Sequence, residues 1–114
     1  MTSLPSKTLL AAGAAIALLG TSTASALAQG LDGKALYTTK ACITCHGPDG
    51  WQEFVPLVPR LDGQDKTYII KQVKAINASK RDSYNLPDMR QLTKDLTDAE
   101  LDAIADFLSK VKVK

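Results

Sequence analysis

Cys42-Ile43-Thr44-Cys45-His46 is the stretch that decides how the rest of this chain is read. A C-x-x-C-H run is the attachment pattern of a c-type haem. Two thiols three positions apart can each add to a vinyl group on one edge of a porphyrin. The imidazole that follows then sits where it can rise to the iron. Rival readings fail on inventory. A structural zinc site wants four Cys or His ligands, and the whole chain has two Cys and one His. A thioredoxin-like redox motif wants a preceding strand and a βαβ setting, which the sequence lacks. A plain disulfide between Cys42 and Cys45 would leave His46 without a role.

The expected cofactor is therefore one haem c, held covalently through Cys42 and Cys45, with His46 as the proximal ligand to iron. Because His46 is the only histidine, a second histidine ligand is excluded. Once Met1 leaves with an N-terminal leader, Met89 is the only thioether, and methionine opposite histidine raises the reduction potential. A single Met is also a common core filler. Lys80, Tyr84 or an open position are the alternatives for the sixth site.

Working outward, residues 1–28 read as a secretory signal peptide. Lys7 supplies the positive start, and Leu9 to Leu19 form the apolar run. Two A-x-A sites follow, at Ala24-Ser25-Ala26 and Ala26-Leu27-Ala28. Cleavage is expected after Ala28, with Ala26 as the second choice. The apolar run is short for a membrane span, and an uncleaved anchor is the competing reading. Residues 29–114 then form one small exported domain, expected in the periplasm without stable membrane insertion. A chain of that size buries only about 60% of its unfolded surface. A covalent porphyrin would add a large apolar core element.

The chain carries 14 Lys and Arg against 12 Asp and Glu, and losing Lys7 lowers the net charge from +2 to +1. That balance does not suggest nucleic acid. Basic residues gather at Lys71, Lys74, Lys80 and Arg81, and again at Lys110, Lys112 and Lys114. They read either as solvated helix faces or as a patch that steers an acidic redox partner.

The fold class is all-α, with three main helices and loops wrapped around the haem. The first helix is expected over about 31–44, with Leu36 and Tyr37 turned inward. Residues 47–63, around Trp51, Phe54 and Pro59, read as loop. The second helix covers about 65–78, with Ile69, Val73 and Ile76 on one face. Residues 79–85 read as loop, and Pro87 as punctuation. Thr97-Asp98-Ala99-Glu100 is a capping box, and Leu96 with Leu101 fits a hydrophobic staple. Leu101, Ile104, Ala105 and Leu108, with Phe107 beside them, form the stripe of that third helix.

From Asp32 to Leu108 the chain resembles a class I monohaem cytochrome c of the bacterial periplasmic type. Gly33 and Tyr37 precede the haem motif as in that family's first helix. Gly47 and Gly50 continue it as C-H-G-x-x-G. Pro59-Arg60-Leu61-Asp62-Gly63-Gln64 is similar to a P-x-L-x-G-Q segment, and Tyr68 and Gln72 fall at matching places in the next helix. Met89, seven residues before Leu96, matches the axial methionine. Ile104-Ala105-Asp106-Phe107-Leu108 resembles the last helix, which crosses the first.

The resemblance implies that the Pro59 carbonyl accepts a hydrogen bond from His46, fixing the ring and its basicity. It implies that Leu61 presses on the haem and that Gly33 lets the first and last helices approach near Phe107 or Ile104. Ser79-Lys80-Arg81 departs from the family's usual glycine-containing loop, so Arg81 reads as either a propionate partner or a surface arginine. Trp51 and Phe54 enlarge the loop after the haem motif. They read as packing on the haem or as a docking surface.

The implied function is periplasmic electron transfer, with iron cycling between ferric and ferrous, and not enzymatic catalysis. The expected partner is a periplasmic redox protein or enzyme subunit. Two alternatives stand. One is the haem subunit of a larger periplasmic dehydrogenase, docking through Trp51, Phe54, Val55 and Leu57. The other is a peroxidase-like enzyme or gas sensor with an open iron position.

Overall fold

Asp32 starts the first helix by accepting a hydrogen bond from the Ala35 amide at 3.0 Å, which satisfies one of the free N–H groups of the first turn. The structure is a computed structural model and describes residues 2–3, 12–15, 30–52, 55–81 and 86–114. Nearly all of the expected leader, its cleavage positions, Phe54 and Tyr84 lie outside the described residues.

Five helices, and no strand, occur among the described residues: α1 (Gly33–Thr39), α2 (Cys42–His46), α3 (Lys66–Asn77), α4 (Leu86–Thr93) and α5 (Asp98–Ser109). None is long and apolar enough to cross a membrane. The all-α reading holds, with two refinements. The first expected helix is broken at Lys40-Ala41, where Ala41 adopts φ 64°, the left-handed region that alanine enters at a cost. That single residue re-aims the chain, so the Cys-containing turn forms a separate helix. The second refinement is α4, over residues to which the sequence reading assigns no element beyond Pro87 as punctuation. Pro87 does not prevent it, because a proline in the first turn removes only an N–H that has no partner within the helix.

α5 is the beam of the fold. Its capping box is complete: Glu100 N–H donates to Thr97 Oγ1 at 3.1 Å, and Thr97 N–H donates to Glu100 Oε2 at 3.0 Å. Leu101, Ile104, Ala105 and Leu108 make its buried stripe. α1 crosses it through Gly33, and Tyr37 is 0% exposed, with its ring 5.7 Å from that of Phe107 and tilted by 55°. α3 also packs on α5, with Ile69 in the core shared with Tyr37. The Lys66–Asp102 ion pair at 2.8 Å and the Lys74–Asp98 pair at 3.1 Å tie α3 to α5 along the rim.

α4 is strapped to the end of α3. Arg90 Nε donates to the Ile76 carbonyl at 3.0 Å, and Asn77 Nδ2 donates to the Thr93 carbonyl at 3.2 Å. Thr93 Oγ1 lies 2.7 Å from Asn77 Oδ1 and 2.8 Å from the Met89 carbonyl, with one proton to share between them.

Candidate haem site

A cavity of about 430 Å³ runs between α2, α3, α4 and the loop before α3. Each wall follows from a local rule. On α2, Cys42, Cys45 and His46 stand at i, i+3 and i+4, one face of a helical turn, and all three line the cavity. On α3, Ile69, Val73 and Ile76 bring their apolar stripe to it, with Gln72 among them. Leu61 and Pro59 come from the loop, and Met89 comes from α4.

His46 is 4% exposed, and its Nδ1 lies 3.0 Å from the Pro59 carbonyl. A carbonyl only accepts, so Nδ1 carries the proton and the other ring nitrogen, Nε2, keeps its lone pair. No buried side-chain polar atom lacks a partner among the described residues, and no further bond to the ring occurs. Nε2 therefore opens onto the cavity. Burial pushes the imidazole's pKa down, against an upward pull from the Pro59 carbonyl, so the ring is held neutral. Cys42 and Cys45 are both free thiols, and burial pushes the Cys42 thiol up.

This donor set fits a haem. Two unpaired thiols, a neutral imidazole with an open nitrogen and a thioether face one space whose walls are mainly aliphatic. Among the described residues no group of three His, Cys, Asp or Glu could hold a bare metal ion instead.

The structure thus brings Cys42, Cys45, His46, Pro59, Leu61 and Met89 together around one cavity. Arg81 also lines it, half-buried, while Lys80 is exposed and does not. Val55 and Leu57 stand on its margin, and Leu57 is 66% exposed. Trp51 does not reach the cavity. It lies beneath Arg60, whose guanidinium carbon is 5.2 Å from the ring centre, and near Lys114 Nζ at 5.9 Å. Gly33 meets Ala103 and Phe107, the latter one of the two implied neighbours. Sequence reasoning missed the Arg60–Asp62 ion pair and the Thr93–Asn77 strap. Their only trace was opposite charges two apart in a loop and two polar residues separated by a proline.

Fold and site together define a small all-α protein built to hold a porphyrin by two thioether bonds. Comparison with known proteins agrees. The cytochrome c family model matches residues 31–112. Cytochrome c-553 of Nitratidesulfovibrio vulgaris is 32% identical over 84 residues, covering 74% of this chain and 80% of that protein. Cytochrome c-552 of Acidithiobacillus ferridurans is 35% identical over 97 residues, 83% of this chain but 42% of that one. A thiosulfate dehydrogenase electron acceptor of Stutzerimonas stutzeri is 36% identical over 88 residues, 71% of this chain and 39% of its own length. The chain thus spans less than half the length of two of these three relatives.

The chain belongs to the cytochrome c family. Its function is electron transfer by a covalently bound haem c, and Cys42 and Cys45 are the two cysteines it has for that attachment.

Proposed function

We propose that residues 29–114 work in the periplasm as a one-electron carrier with His46 and Met89 as the axial pair, residues 1–28 being a cleaved leader. The observation that carries this reading is that His46, Met89 and both cysteines line one mainly apolar cavity. Bound there, haem c supplies one-electron exchange between ferric and ferrous iron.

The chain's own residues supply the rest. Cys42 and Cys45 anchor the porphyrin edge. The Pro59 carbonyl holds the His46 ring and its tautomer, presenting Nε2. Met89 brings the thioether on α4, which is braced against α3. Ile69, Val73, Ile76 and Leu61 exclude water, and Arg81 is the cation in the wall available to a propionate. The relative named as an electron acceptor of thiosulfate dehydrogenase supports a dehydrogenase as the donor class.

The test is the visible and far-red spectrum of oxidised and reduced protein beside Met89→Ala. A low-spin spectrum with a weak sulfur-to-iron band that the variant loses is the expected result. A high-spin spectrum, or a variant indistinguishable from the parent, removes Met89 from the iron. A second reading, the haem subunit of a larger dehydrogenase, is favoured by the exposed Leu57 beside Val55 on the cavity margin. Purification without a tag separates the two, since a subunit leaves the column with its enzyme and a free carrier leaves alone.

A further inference from the structure

The carbonyl that orients His46 belongs to Pro59, and the peptide it sits in leads directly into Arg60. Arg60 grips Asp62 with both arms of its guanidinium, Nε to Oδ1 at 3.0 Å and a terminal nitrogen to Oδ2 at 2.7 Å. The Asp62 side chain is 1% exposed, so the carboxylate has left water. The carboxylate also accepts from the Lys114 N–H at 3.3 Å, and Arg60 donates to the Lys114 main-chain oxygen at 2.9 Å. Lys114 in turn pairs with Asp49 at 2.9 Å, two residues before Trp51, on which Arg60 rests.

The main chain around Arg60 is tied as tightly. Gln64 Nε2 donates to the Arg60 carbonyl, Leu61 N–H donates to the Gly50 carbonyl at 2.7 Å, and Gly63 N–H donates to the Leu108 carbonyl at 3.0 Å. With the peptide after Arg60 pinned and its side chain clamped, the Arg60 Cα that ends the Pro59–Arg60 peptide is held in place. A hydrogen bond fails within about half an ångström of lengthening. A buried carboxylate is costly and is kept only where it is paired.

We infer that the Arg60–Asp62 pair is a positioning device for His46, holding the Pro59 carbonyl on the ring and so fixing the donor strength of the imidazole. The inference rests on the reading of His46 as an iron ligand. A firmer bond at Nδ1–H makes the ring a stronger donor, which favours ferric iron and lowers the potential.

Asp62→Asn and Arg60→Lys test it on the haem-loaded protein, read by reduction potential and by solvent exchange of the His46 Nδ1–H proton. Arg60→Lys keeps a cation beside Asp62 and loses the two-armed geometry, at a side chain 45% exposed. The expected result is a higher potential in both variants and Nδ1–H exchange faster by roughly tenfold, the scale of one charge-assisted hydrogen bond. If the pair acted through charge alone, Asp62→Asn would still raise the potential. Arg60→Lys would then match the parent in potential and exchange, and the inference would be overturned. The axial reading has its own check. Ring protons of His46 in the ferric parent must carry the large paramagnetic shifts of a bound ligand. If they do not, both readings fall; if they do and both variants match the parent, the positioning role alone falls.

Discussion

Gly33 and Ala103 stand so close that a methyl group on Gly33 would lie 2.0 Å from the Ala103 carbonyl oxygen. The obstacle is main chain, which cannot rotate away, and Phe107 Cβ closes the same space at 3.0 Å. The crossing of α1 over α5 therefore depends on a missing side chain. Since α1 leads into the Cys-containing turn, the helix crossing also fixes where α2 begins.

Gly33→Ala is expected to destabilise the protein by about 2 kcal/mol, the scale of overpacking a well-filled contact, despite alanine's better helix propensity. Urea denaturation checks it. The midpoint should fall with the slope unchanged, because the two helices separate slightly while the surface exposed on unfolding stays the same.

Tyr37 links that helix pair to the haem motif. Its hydroxyl donates to the Gly47 carbonyl at 2.7 Å, one residue past His46, and the ring is sealed against Phe107. Tyr37→Phe keeps the ring and removes the bond. The Gly47 carbonyl retains a longer bond from Gly50 N–H at 3.3 Å, so the expected loss is about 1 kcal/mol and not the full cost of an orphaned acceptor. Thermal unfolding of the two proteins at equal haem content measures it.

Legibility divided along the range of the interactions. The Thr97–Glu100 box, the Ile69/Val73/Ile76 stripe and the C-x-x-C-H turn are written within one or two helical turns, and each appears in the structure where the pattern places it. The break at Ala41 left no trace, since alanine is a strong helix former and nothing local marks a left-handed residue. α4 was hidden by Pro87, read as punctuation although the helix carries it in its first turn. The Arg60–Asp62 clamp depends on Lys114, more than fifty positions away, a pairing that periodicity cannot report.

Acid should reveal the buried carboxylate. The Arg60 guanidinium and the Lys114 N–H hold the Asp62 pKa below its ordinary 3.8, while burial opposes them. As pH falls below 3.8 the unfolded chain takes up the proton first, and the stability due to Asp62 drains away until pH has passed the folded value. Arg60 is the charge paired with this group, and its guanidinium stays charged throughout that range. The stability gap between the parent and Asp62→Asn should be full at pH 7, shrink below pH 3.8 and close at still lower pH. Denaturation midpoints across that range test it, and a gap independent of pH would mean that the carboxylate's charge contributes nothing.

The last prediction concerns how firmly Met89 is held. The Met89 carbonyl and Asn77 Oδ1 both lie within hydrogen-bond distance of Thr93 Oγ1, so one hydroxyl joins the residue that offers the thioether to the end of α3. Asn77→Ala removes the side chain that reaches Thr93 but leaves the Met89 carbonyl its donor. Thr93→Val removes the hydroxyl from both, with nearly the same shape. Each should cost about 1 kcal/mol of stability, with Thr93→Val the more severe. Because α4 packs chiefly on α3, loosening it should be a local event that precedes global unfolding. On the proposed Met89 ligation, the weak sulfur-to-iron band should on heating fade before the far-ultraviolet helix signal in Thr93→Val, and the two should separate less in Asn77→Ala. If band and helix signal vanish together in both variants, the strap does not govern α4, and Arg90 on the Ile76 carbonyl is the next bond to remove.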